Sequence, residues 1–186
     1  MLNPQILNID PIEVLCVRHT GAYTKCAPAW EKLMTFAYSN NIVNKNTRVF
    51  GVGYDNPHIV EESLLRYDAC ITKNTNIDLE DGINQTIING GKYATFLHKG
   101  SYETLYDTYN EIFSVWIVEN QITLRETAPF EEYLNDPKTT KPEDLETLIY
   151  IPMELLEIPC QSDKIISRID NERENKLWLQ WSFRTI

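Results

Sequence analysis

Long apolar runs are missing from this chain of 186 residues. Nothing approaches the roughly 18 consecutive apolar residues that a membrane-spanning helix needs, so no membrane association is expected. The first residues, Met1-Leu2-Asn3-Pro4, carry no positive charge and lead into no apolar core, so no secretory signal is expected either. Cysteine is sparse: Cys16, Cys26, Cys70 and Cys160 are scattered and form no Cys-x-x-Cys pair. That pattern points to reduced, mostly buried thiols in a cytoplasmic protein, with a four-cysteine zinc site as the alternative. Positive charge is also short. Against 27 Asp and Glu stand 17 Lys and Arg, a net charge of −10, and the basic residues nowhere cluster. Phosphate binding needs a concentrated positive field, so direct contact with nucleic acid is not expected. Finally, there is no glycine-rich phosphate loop and no Ser/His/Asp or Cys/His signature. No catalytic residue, metal or cofactor is assigned from the sequence.

Aromatic residues are plentiful, with ten Tyr, six Phe and four Trp. An acidic, aromatic-rich chain either packs a bulky core or lines a pocket for flat or cationic ligands. An internal repeat helps to sort these readings. His19-Thr20-Gly21-Ala22-Tyr23 recurs 79 residues later as His98-Lys99-Gly100-Ser101-Tyr102, and the same offset carries Trp30 onto Tyr109. Phe50 to Pro57 lies over Phe130 to Pro137 at an offset of 80, one loop residue more. The halves span residues 9–75 and 88–153.

Each half reads as strand, helix, strand, strand. Val14 to Val17 and Tyr93 to Leu97 have strand composition. Tyr102, Leu105, Tyr109, Ile112 and Trp116 then fall at helical spacing behind Ser101 as N-cap. Tyr23, Cys26, Trp30, Leu33 and Ala37 match them in the first half. Two more apolar runs follow, 48–54 with 67–72 and 130–134 with 147–151, separated by Asn-Pro or Asp-Pro turns. Hairpin neighbours favour antiparallel pairing, so the fold class is α+β, with helices on one face of an antiparallel sheet. Residues 154–186 fall outside the repeat as a C-terminal extension, which covers the chain's own core or serves as a lid or dimer arm.

In the order and spacing of these motifs, with Arg66-Tyr67-Asp68-Ala69 and Ile149-Tyr150-Ile151-Pro152 added, the chain resembles the GyrI-like family over residues 9–153. That family includes small gyrase-inhibitor proteins and the effector-binding domains of AraC- and MerR-type multidrug-responsive activators. The resemblance implies a duplicated β-α-β-β module with a curved antiparallel sheet, two helices on one face and a central groove. It implies a groove that takes hydrophobic, often cationic, small molecules between aromatic walls, over an acidic floor residue. The chain departs from the activators in having no helix-turn-helix region, and in its extension.

Glu131 is the position where the halves differ most, because its repeat partner is Gly51. Strand alternation puts Glu131 and Tyr133 on one face and Glu132 on the other. The Phe130-Glu131-x-Tyr133 context matches the family's floor carboxylate, so that role carries over to Glu131. The alternatives are an exposed Glu131 or one paired with Arg125. Around it the expected wall is Tyr133, Tyr150, Trp116 and Tyr102, with Trp30 from the first half, while core packing is the alternative for the two tryptophans. His19 and His98, at equivalent turns, read as structural, and His58 as a loop residue. The expected function is a stand-alone receptor for hydrophobic or cationic compounds, acting as sensor or sequestrant. Two alternatives stay open. One is hydrolysis of strained electrophiles, with Glu131 as base and Tyr133 or Tyr150 as proton donor. The other is a gyrase-modulating interaction, and a homodimer or other protein partner also stays open.

Overall fold

The computed structural model describes residues 2–154. Residues 155–186, nearly all of the extension set apart above, lie outside the described residues. Eight strands and two helices follow one another in two similar series. The first is β1 (Gln5–Ile9), β2 (Ile12–Thr20), α1 (Ala27–Ser39), β3 (Val49–Gly53) and β4 (Arg66–Thr72). The second is β5 (Asn84–Ile88), β6 (Gly91–Lys99), α2 (Leu105–Glu111), β7 (Phe130–Tyr133) and β8 (Glu146–Pro152). After Glu111 the second helix takes a π-helical turn over Ile112–Trp116 and ends as Ile117–Glu119. The strands form one curled antiparallel sheet in the order β1-β6-β8-β7-β3-β4-β2-β5.

The α+β class and the helices on one face are as expected, but each series has one strand more than the sequence suggests. The added strands β1 and β5 are the sheet edges. β1 pairs with β6 of the other half, and β5 with β2, so the halves exchange their first strands. Both are mostly exposed and lack the buried alternation by which a strand is recognised.

Alternation along the inner strands gives the sheet two packed faces. On the helix face, Leu15, Val17, Ala69 and Ile71 pack under Leu33, Phe36 and Ala37 of α1. Ala94, Phe96, Ile149 and Ile151 pack under Ile112 and Phe113. On the back face Phe50, Phe130, Tyr93 and Tyr150 form a second core with Val14, Cys16 and Cys70. There the Phe130 and Tyr150 rings stack at 4.3 Å, with Phe50 and Tyr93 edge-on to Phe130.

The strand-to-helix turns explain the recurring His-x-Gly motif. Gly21 and Gly100 both have φ +129°, a conformation that residues with a Cβ rarely adopt. His98 braces its turn by donating from Nε2 to Ser101 O at 3.2 Å, and it accepts at Nδ1 from Thr108 Oγ1 at 2.7 Å. His19 makes the matching bond to Ala22 O at 2.9 Å. Tyr23 and Tyr102 lie in short 3₁₀ turns ahead of the helices rather than on them, and Ser101 Oγ accepts from Glu103 N in the second. α1 then starts at Ala27, with Pro28 in its first turn.

Phe130 is 1% exposed with rings on three sides. Phe130→Ala is expected to cost about 3–5 kcal/mol, read as a lower urea midpoint with an unchanged slope.

Candidate functional site

β3 and β7 lie at the middle of the sheet, in the furrow between α1 and α2, and pair with Gly51 opposite Glu131. Glu131 faces the helices. Its Oε2 accepts from Tyr133 Oη at 2.5 Å and its Oε1 from Tyr109 Oη at 3.1 Å. Tyr133 spends its one proton on Glu131, so in the 3.0 Å contact between Tyr67 Oη and Tyr133 Oη the donor is Tyr67. Trp30 stands edge-on to Tyr133 at 5.7 Å and to Tyr67 at 6.4 Å. Tyr102 meets Tyr133 at 5.2 Å, and Tyr23 meets Tyr67 at 5.9 Å. Tyr23 is itself anchored, donating to Asp55 O at 2.6 Å and accepting from Asp55 N at 3.0 Å.

Gly51 is needed for this packing. A Cβ there would stand 2.3 Å from Tyr67 Oη and 2.6 Å from Tyr133 Oη. The missing side chain of one half is therefore the space in which the tyrosine hydroxyls of both halves meet.

Charge is unbalanced in this furrow. Burial pushes the Glu131 carboxyl above its ordinary value, and the hydrogen bonds from Tyr133 and Tyr109 only partly oppose it. Burial and the neighbouring carboxylate also raise Tyr67, Tyr109 and Tyr133. Tyr23 is pushed up to about 12, chiefly by burial. Among the described residues no Lys, Arg or His forms an ion pair with Glu131. Arg125, considered as its partner, lies instead over the Tyr93 ring at 4.8 Å and donates to Gly90 O at 3.0 Å.

The structure gathers Tyr133, Tyr102 and Trp30 around Glu131, but not Tyr150 or Trp116. Ile149 is the cross-strand partner of Glu131, so Tyr150, one residue on, points to the back face. There its hydroxyl donates to Glu132 Oε2 at 2.8 Å, beside a bidentate Arg48–Glu132 pair at 2.7 Å. Trp116 closes the π-helical turn and packs edge-on to Phe96 at 5.0 Å, in the core beneath the second helix. An irregular turn rotates the residues that follow it relative to a regular helical stripe. Tyr67, Tyr109 and Tyr23 join the site without having been assigned to it. A signal existed for two of them: Tyr109 is the repeat equivalent of Trp30, and Tyr23 that of Tyr102. A separate open cleft of about 460 Å³ is lined by Asp10, Glu13, Arg48 and Lys73. Its cations are already paired with Glu132 and Glu13.

The family profile of the GyrI-like small molecule binding domain matches residues 2–154. The chain belongs to the GyrI-like family. Among relatives of this GyrI-like protein, a DNA gyrase inhibitor of Salmonella typhimurium is 30% identical over 128 residues, covering 67% of this chain and 80% of the relative. Among solved structures, the EcmrR C-terminal domain superposes with a TM-score of 0.67 at 18% identity, over 84% of this chain and 99% of that one. SAV2435, solved bound to tetraphenylphosphonium, superposes with a TM-score of 0.57 at 16% identity, over 84% and 96% of the respective chains. Both superpositions establish the shared fold. Among the described residues no helix is long and apolar enough to cross a membrane, and no group of three or more His, Cys, Asp or Glu could hold a metal.

Two outcomes follow from this geometry. A carboxyl raised in the folded state makes the fold bind a proton more tightly than the unfolded chain does. Stability from this group is then full below the ordinary carboxyl range and falls as pH rises through the raised folded value. Urea titrations from about pH 4 to about pH 7 should show that loss in wild type, and Glu131→Gln should remove it. Gly51→Ala, by overpacking the hydroxyls, should cost about 1–3 kcal/mol and displace the Tyr67 and Tyr133 ring resonances in NMR spectra.

Proposed function

We propose that the furrow over β3 and β7 is a receptor site for hydrophobic cations, with Glu131 as its charged floor. Tyr133, Tyr102, Tyr109, Tyr67 and Trp30 form the wall. The observation that carries this reading is a half-buried carboxylate with aromatic neighbours and no cationic partner among the described residues. Such a charge is costly when left alone, and a lipophilic cation supplies what the protein withholds. The ring faces add attraction for a positive centre within about 6 Å. Two hydroxyls already donate to Glu131, which holds it in place before a ligand arrives. That SAV2435 shares this fold and was solved with tetraphenylphosphonium supports the same ligand class here. In this reading the protein works in the cytoplasm as a sensor or sequestrant of several such compounds. Residues 1–153 make the receptor module, and residues 154–186 form an extension.

A hydrolytic reading rests on the 2.5 Å Tyr133–Glu131 pair, a raised carboxyl and a phenol in proton-transfer contact. It requires product to accumulate, which binding alone does not produce.

Thermal unfolding with tetraphenylphosphonium and with neutral triphenylphosphine oxide separates the cases. At about 100 times its dissociation constant the cation should add about 2.7 kcal/mol to wild type. The neutral compound should add much less, and Glu131→Gln should abolish the difference. Equal responses to both compounds, or an undiminished response in Glu131→Gln, would sink the cation reading.

A further inference from the structure

Cys16 of β2 and Cys70 of β4 are direct cross-strand partners on the back face, away from the furrow. The type of pairing follows from hydrogen bonds at the two ends of that ladder. Gly21 N donates to Leu65 O at 2.8 Å, and Lys73 N donates to Glu13 O at 2.9 Å. These bonds place the hydrogen-bonded pairs at odd-numbered positions of β2. Cys16, like Arg18, therefore stands in a non-hydrogen-bonded pair. In such pairs the Cα atoms are only about 4.5 Å apart and the side chains come closest. The neighbouring pair of the same type faces the same way, with Arg18 reaching straight across to Asp68 through Nε and Nη2.

A disulfide spans Cα separations of about 4.4–6.8 Å, so the bond can close here without moving the strands. The spacing lies at the short limit of that range, which strains the bond and makes it easy to reduce. Both sulfurs are enclosed, with Cys16 4% and Cys70 0% exposed. Cys70 Sγ donates to Asp68 O at 3.6 Å. The neighbouring Cys70 thiol lowers Cys16, whereas Cys16 and burial raise Cys70. Cys16, the more exposed of the two, is the thiol that a peroxide reaches first.

We propose that Cys16 and Cys70 form an oxidation site that closes to a reversible intrachain disulfide when the protein meets a peroxide. In the first step the Cys16 thiolate attacks one peroxide oxygen and the O–O bond breaks. The departing hydroxide takes up the proton lost by Cys16 and leaves as water, with Cys16 as a sulfenic acid. The Cys70 sulfur then attacks Cys16 Sγ. The S–O bond breaks, and hydroxide leaves with the Cys70 proton as a second water. Two thiols lose two electrons and two hydrogens, and one peroxide becomes two waters. Close opposition favours this second step over further oxidation of Cys16, because the resolving cysteine stands directly across in a non-hydrogen-bonded pair.

The test is hydrogen peroxide treatment of the folded full-length chain, followed by alkylation in denaturant and peptide mapping. Alkylatable thiols should fall from four to two per chain, with Cys16 and Cys70 in one linked peptide pair that dithiothreitol separates. A Cys26→Ser/Cys160→Ser variant should fall from two thiols to none. Cys70→Ser should leave a sulfenic acid on Cys16 that dimedone traps. A linkage through Cys26 or Cys160, sulfinic Cys16 beside a free Cys70, or four thiols surviving the treatment would each overturn the proposal.

Discussion

The pairing of β3 with β7 joins the two halves of the sheet, and at its middle a carboxylate faces a residue with no side chain. Two glutamates there would repel each other across adjacent strands, and two glycines would leave the furrow without charge. One of each places a single negative group at the centre and clears the space beside it. Tyr67 and Tyr133 fill that space from opposite halves, and Tyr109 reaches down from the second helix to the other carboxylate oxygen. The helices cover what remains. Both the near-symmetry of the halves and the asymmetry of the site come to rest on this short seam.

Consecutive residues of β7 show two opposite treatments of a carboxylate. Glu132, on the back face, has the Arg48 guanidinium in bidentate contact and the Tyr150 hydroxyl on the same group. Its charge is matched within the protein. Glu131, on the helix face, receives only neutral donors, and its carboxyl is raised. A hydroxyl can orient a carboxylate and soften its desolvation, but it cannot neutralise the charge. The same backbone therefore holds one acid whose electrostatics are complete and another whose electrostatics are open to a ligand.

Much of this arrangement was legible in the sequence. The offsets of 79 and 80 fixed both helices and six of the eight strands. Period-two alternation placed Glu131 and Tyr133 together, with Glu132 behind them. The two edge strands escaped because an exposed strand has no buried face to mark it. Tyr150 was misplaced for want of register: its own strand shows that it faces away from Ile149 and Ile151, but not which of the two faces Glu131 shares. Trp116 followed a helical stripe that a π-helical turn interrupts, and no composition signal announces that turn. Tyr67 had no counterpart to reveal it, since its repeat equivalent is Thr147, a small residue buried against Tyr133. Position in the repeat found the residues that the halves share and the Gly51–Glu131 difference, whereas Tyr67 came to light only in the folded sheet.

The exchange of first strands also sets an order of assembly. β1 docks on β6 through partners such as Gln5 and Thr95, whose side-chain hydrogen bond links positions 90 residues apart. At about 5–20 residues per second of synthesis, β1 precedes its partner by on the order of ten seconds. In that interval β2, α1, β3 and β4 can already pack on one another, since their contacts lie within the first half. β5 is made next and joins β2, which is ready for it. Strand β1, carrying exposed Ile6 and Leu7, must therefore wait for the second half, and it closes the sheet as one of its last pieces.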